Sequence, residues 1–129
     1  MARIPDELTS DDLAFLEERH LATLTTTRGD GTPHVVAIAF TYEHETGTVR
    51  VIASDGSQKV VNADRGDRAV VCQVEGRRWL SLEGPVVVRR DPASVTEAEA
   101  RYADRYRPPR QNPQRVVVEI SVDRILGRS

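Results

Sequence analysis

From Leu21 to Val88 the chain repeats one cadence: a short run in which apolar and polar residues alternate, then a tight turn built on glycine. Alternation at period two marks a strand with one buried face. Arg28-Gly29-Asp30-Gly31, His44-Glu45-Thr46-Gly47 and Glu75-Gly76-Arg77 are turns of the kind that join hairpins. The pattern predicts strands over 21–27, 32–42, 48–53, 67–74 and 78–88, with a last one over 116–122. The second is the longest, and its centre, Val35 to Phe40, is nearly all apolar. Both of its faces are therefore expected to be covered, as in a barrel wall or a subunit interface. Gly84-Pro85 does not suit a regular central ladder and marks a bend where the sheet curls.

Three short helices frame these strands. Thr9 or Ser10 caps the first, with Asp11 and Asp12 in its first turn and Leu13, Phe15 and Leu16 on its apolar face. The second follows Ser57. The third opens at Asp91-Pro92, a cap followed by proline, and runs to about Tyr106 with Glu97 and Arg101 spaced for an ion pair. A proline-rich connector, Pro108 to Pro113, leads to the last strand. The expected fold is mainly β: one domain over 1–129, a six-stranded antiparallel barrel with short helices at its ends.

With 18 basic and 20 acidic residues the net charge is −2, which argues against a general nucleic-acid binder. The single cysteine, Cys72, excludes an internal disulfide and a cysteine-based zinc site, and it reads as a small buried hydrophobe. No apolar leader or membrane-length run is present, so a cytoplasmic protein without a membrane partner is expected. His20 has no ligand-spaced partner and reads as structural.

The stretch 54–65 carries the clearest chemistry. A strand runs into Ser54-Asp55-Gly56-Ser57-Gln58-Lys59 and a short helix leaves it. A turn of this kind aims free amides outward, where they suit an anion. Ser57 can cap the helix or donate to a phosphate, and Lys59 adds a point charge. Among the 18 basic residues Lys59 is the only lysine. We read the stretch as a phosphate cradle.

These residues resemble the flavin/deazaflavin oxidoreductases of the split-barrel type, the group that contains pyridoxamine-phosphate oxidase. The likeness is greatest to the branch that uses coenzyme F420, and within it to F420H2-dependent biliverdin reductases. It is carried by Asp11 to Leu16, Thr32 to Ala37, Gly56 to Lys59 with Asn62 to Arg65, Arg78 to Gly84, and Arg101 to Arg107. The resemblance implies a split barrel that forms a homodimer with the cofactor at the subunit interface.

It also implies roles for residues. The cofactor phosphate would lie on Ser57, Gln58, Lys59 and Asn62 beside Ser54, and the deazaflavin ring along His34, Val35, Val36, Ala37 and Ile38. His34 fits either a wall residue or a catalytic group. Trp79, the only tryptophan, fits core packing or a flat surface beside the ring. Arg77, Arg78, Arg107 and Arg110 are candidates to meet carboxylates, either bilin propionates or the glutamyl tail of F420. No metal is implied, and no general acid is evident. The activity so implied is hydride transfer from F420H2 to biliverdin. FMN is the alternative cofactor, made less apt by the wholly apolar Val35 to Ile38, and a non-catalytic F420 or tetrapyrrole carrier is the alternative role.

Overall fold

The computed structural model describes residues 1–129. Its helices are α1 (Ser10–Glu17), α2 (Gln58–Asp64) and α3 (Pro92–Arg105). Its strands are β1 (Ala22–Thr27), β2 (Pro33–Ile38), β3 (Thr41–Glu43), β4 (Thr48–Ser54), β5 (Arg68–Glu75), β6 (Arg78–Arg89), β7 (Arg115–Ser121) and β8 (Arg124–Arg128). The order is β2-β1-β5-β6-β7-β4-β3, all antiparallel, with β8 also on β6. Thr9 caps α1: its hydroxyl accepts the Asp12 amide at 3.1 Å, and the Asp12 carboxylate accepts the Thr9 amide at 3.0 Å. Asp91 caps α3 by accepting the Ser94 amide at 3.0 Å, and Arg101 pairs with Glu97 at 3.1 Å.

The expected six strands are eight, and the ladder does not close. The long second strand breaks at Ala39-Phe40, and β2 and β3 become the two unpaired ends of the sheet. Phe40 leaves the ladder because α3 supplies its partners. Its amide meets the Tyr106 hydroxyl, and its carbonyl accepts from Arg105 Nη1 at 2.6 Å. β8 was not expected, since only Ile125 and Leu126 are strongly apolar there. Ile125 is fully buried under β6, and that burial together with pairing to β6 makes the segment a strand.

β6 carries the curl. Up to Pro85 it pairs with β5, and from Val86 to Arg89 with β7. At the changeover the Gly84 backbone lies so close to the end of β7 that a Cβ there would fall 1.8 Å from the Ser121 carbonyl oxygen. The expected bend at Gly84-Pro85 is therefore a contact that only glycine permits. Inside the curl, Phe15, Leu24, Phe40, Val49, Val71, Leu80, Leu82, Ile120 and Ile125 form one core.

The opposite face of β2, β1, β5, β6 and β8 turns away from that core. Register places Ala37, Thr23, Cys72, Ser81 and Leu126 in one row across it. Cys72 is thus only half-buried and points outward, contrary to the expectation of a core position, because the alternation gives the inward places to Val71 and Gln73. β2 is likewise covered on one face only in the single chain, with Val35 58% exposed. No helix is long and apolar enough to cross a membrane.

Candidate functional site

A cleft of about 520 Å³ opens where β2 ends, between β4, the start of α2 and the connector after α3. Its floor is Ile38, Ala39 and Ile52, and its rim carries Lys59, Arg107, Arg110 and Arg115, with Tyr102, Pro108 and Pro109 beside them. No aspartate or glutamate lines it, in a chain whose net charge is −2. Arg115 is partly neutralised by Glu99 at 2.8 Å, whereas Lys59, Arg107 and Arg110 form no ion pair or hydrogen bond within the chain. An uncompensated cationic concavity of this size suits a polyanionic ligand.

The turn that presents Lys59 is braced from both sides. The Asp55 amide donates to the Gln114 carbonyl at 2.8 Å, and Asn112 Nδ2 donates to Ser54 Oγ at 2.9 Å. Arg90 bridges Asp55 and Asp64, at 2.9 and 2.6 Å, and holds both carboxyls below the usual carboxylate range. The amides of Gln58 and Lys59, at the start of α2, have no acceptor in the chain.

Of the residues read from the sequence, Ile38, Lys59, Arg107 and Arg110 come together in this cleft. Others do not. The Ser57 hydroxyl donates to the Ser54 carbonyl at 2.9 Å instead of capping α2. Asn62 is buried, donating to Thr26 Oγ1 at 2.9 Å and accepting from Gln58 at 2.7 Å and from Arg65 at 3.0 Å. Its amide is spent on fixing α2 to β1, so it offers nothing to a ligand. Arg78 is committed to Glu18, at 2.8 Å, and to Glu75, with its guanidinium over the Phe15 ring.

Trp79 is 42% exposed and is not part of the core; with Arg77 it lines a separate recess beside Gly127 and Arg128. His34, Val36 and Ile38 turn inward from β2 while Val35 and Ala37 turn outward, and His34 Nδ1 is buried without a hydrogen-bond partner. Sequence reasoning missed Ile52, Tyr102 and Arg115. Only the pairing of Ser54 with Arg115 across β4 and β7 brings that arginine to the turn. No group of three or more His, Cys, Asp or Glu side chains is placed to hold a metal ion.

Comparison with known proteins places the chain in a family and matches its fold. A protein of Mycobacterium tuberculosis (strain CDC 1551 / Oshkosh), described as F420H(2)-dependent biliverdin reductase, is 56% identical over 127 residues, which is 98% of this chain and 93% of that one. Two solved structures share the fold. One, described as an F420 reductase, has a TM-score of 0.71 at 24% identity, covering 88% of this chain and 94% of its own. The other, a conserved hypothetical protein from Mycobacterium tuberculosis, has a TM-score of 0.76 at 23% identity, covering 92% and 82%. The family profile described as Pyridoxamine 5'-phosphate oxidase matches residues 8–129, from the turn before α1 through the last strand, and the chain belongs to that family.

Proposed function

We propose that this protein reduces biliverdin to bilirubin with coenzyme F420H2 and works as a homodimer. The observation that carries the reading is the cleft: three unpaired cations, Lys59, Arg107 and Arg110, over an apolar floor with no carboxylate among the lining residues. F420 carries a phosphate and a glutamyl tail, and biliverdin carries two propionates, so cofactor and substrate are both polyanions. The residues fit such a group. The relative at 56% identity supports the same choice of cofactor and substrate.

When bound, the reduced deazaflavin supplies a hydride to the central methine carbon of the bilin, and a proton completes the product. This chain positions the reactants. Lys59 and the free amides of Gln58 and Lys59 hold the phosphate. Arg107 and Arg110 hold carboxylates, and the adjacent Pro108 and Pro109 limit how far those arginines wander. Ile38, Ala39 and Ile52 keep the ring side dry, which strengthens the electrostatic contacts around them. His34 serves as a wall residue on β2, behind the cleft floor at Ile38.

The dimer is argued from the outward face of the sheet. Val35, Val74, Trp79 and Leu126 are each 40% or more exposed there, and together they make an apolar patch of the kind that marks an interface. A second copy meeting the first face to face forms a closed two-fold contact. Trp79 and Arg77 would then serve the cofactor of the neighbouring subunit, which explains why they stand apart from the cleft in one chain. Val74→Glu is expected to give a monomer by light scattering, with F420 binding weakened tenfold or more. A Val74→Glu protein that stays dimeric argues against this face.

The test of the cofactor site is a fluorescence titration with F420, run beside FMN. A charge-assisted hydrogen bond is worth about 1.5–3 kcal/mol, so Lys59→Ala is expected to weaken F420 binding roughly ten- to a hundredfold. Lys59→Arg recovers part of the loss, because a planar fork does not reproduce a compact ammonium. Unchanged affinity in the alanine variant, with the fold intact by circular dichroism, overturns the assignment of Lys59.

A further inference from the structure

We propose that the recess between the α1–β1 link and the end of α3 is a carboxylate-binding subsite continuous with the cleft, with Arg19 and Arg107 as its cationic ligands. The proposal rests on the reading that the cleft takes F420 and a bilin, and it adds where an acidic arm of one of them goes. The recess, about 290 Å³, is lined by Arg19, His20, Leu21, Ala39, Tyr102, Tyr106 and Arg107. Ala39, Tyr102 and Arg107 also line the cleft, so one ligand can occupy both.

Charge sets the ligand class. The lining of the recess, like that of the cleft, includes no aspartate or glutamate. Arg19 is exposed and makes no ion pair, although Glu17 and Glu18 precede it in the chain. Glu17 lines a different depression, beside Tyr42 and Arg101. Glu18 is taken by Arg78 at 2.8 Å and by His20 Nε2 at 2.9 Å, and Arg78 above all holds its carboxyl down to about 2. The Glu18 carboxylate is thus spent on Arg78 and on His20 Nε2. Arg19 therefore has no local counter-charge.

The walls are fixed rather than loose. The Tyr106 hydroxyl donates to the His20 carbonyl at 2.8 Å, tying the end of α3 to the residue after Arg19. The Tyr102 and Tyr106 rings lie 5.1 Å apart and form an aromatic side, and the Tyr102 hydroxyl has no partner in the chain. Two residues with unpaired guanidiniums and one with a free hydroxyl line a space of this size. Guanidinium forks bind carboxylates in a bidentate manner, and their exposure here keeps the contact modest.

Two sources can supply the carboxylate: a bilin propionate, or a glutamate of the cofactor tail. The experiment uses Arg19→Ala and Arg19→Lys in the full-length protein. Equilibrium binding of biliverdin and of its dimethyl ester is followed by absorbance, and binding of F420 with and without its glutamyl tail by fluorescence. Steady-state KM and kcat are measured alongside. For a propionate, Arg19→Ala weakens binding of the diacid and raises its KM about three- to tenfold, leaving kcat and the ester unchanged. For the tail, only tailed F420 weakens, by a similar factor. Either result supports the subsite, with Arg19→Lys falling between wild type and alanine.

If neither ligand changes, or if ester and tailless F420 weaken as much as the acids, the subsite is overturned. A wild-type protein that binds the acids through Arg19 but does not reduce biliverdin overturns the reductase reading and leaves the subsite standing. One that binds neither acid overturns both.

Discussion

Gly84→Ala is expected to cost about 4 kcal/mol or more, in the range that leaves a small domain marginally folded. The added methyl would sit 1.8 Å from the Ser121 carbonyl oxygen and 2.7 Å from its carbon, both backbone atoms at the end of β7. No rotamer change relieves such a clash. Either β7 moves, which breaks its register with the 86–89 half of β6, or β6 straightens and the sheet loses its curl. Gly76→Ala is the control. Gly76 has φ +63° at a hairpin tip with nothing near its missing Cβ, so it meets only the left-handed backbone penalty, about 1–2 kcal/mol. Urea denaturation of both variants reads the difference. If Gly84→Ala unfolds within 1 kcal/mol of Gly76→Ala, the close approach is not what shapes the sheet.

Features set by neighbours in the sequence were legible, and those set by distant partners were not. The hairpin turns and the caps at Thr9 and Asp91 follow from local chemistry, and Gly84-Pro85 was legible as a bend although the contact that requires the glycine, with Ser121, is distant. The break at Phe40 does not, because the groups that replace its ladder partners, Arg105 and Tyr106, arrive 65 and 66 residues later. The site divides in the same way. Lys59 was conspicuous as the single lysine, and the connector arginines as charges flanking prolines, and the fold brings them to one cleft. Asn62 has a residue type that suits a phosphate and a position that suits the core, and only the placement of α2 against β1 decides between them. Trp79 and Arg77 belong to the other side of the sheet, which no spacing along the chain reveals.

Arg105→Met is expected to destabilise the protein by about 3–5 kcal/mol and to weaken F420 binding at the same time. Burial works against this guanidinium and lowers its pKa; the nearby Glu18 charge offsets only part of that, and no carboxylate hydrogen-bonds to it. Its partners are neutral: the Glu18 carbonyl at 2.7 and 2.9 Å, the Phe40 carbonyl at 2.6 Å and Gln73 Oε1 at 2.6 Å. The Phe40 and Tyr106 rings cover it at 4.7 and 5.0 Å. Methionine keeps much of the volume but leaves Gln73 Oε1 without a donor, and it strips the guanidinium from the Glu18 and Phe40 carbonyls, which keep only the His20 amide at 3.0 Å and the Tyr106 hydroxyl at 3.1 Å. Gln73 is hit twice over, since its Nε2 also supports the Phe15 carbonyl at 2.8 Å. The functional consequence follows from position. Arg105 pins the end of α3 to the α1–β1 link and to the β2–β3 break, and Arg107 and Arg110 leave from that point toward the cleft. Releasing the pin lets the connector move and spreads its two charges over more conformations. Arg105→Lys, which keeps the charge but cannot satisfy all these acceptors, should fall between wild type and Arg105→Met in both measurements. Denaturant midpoints and F420 titrations of the two variants decide the matter: a large loss of stability with unchanged cofactor affinity would mean that the connector holds its course without this anchor.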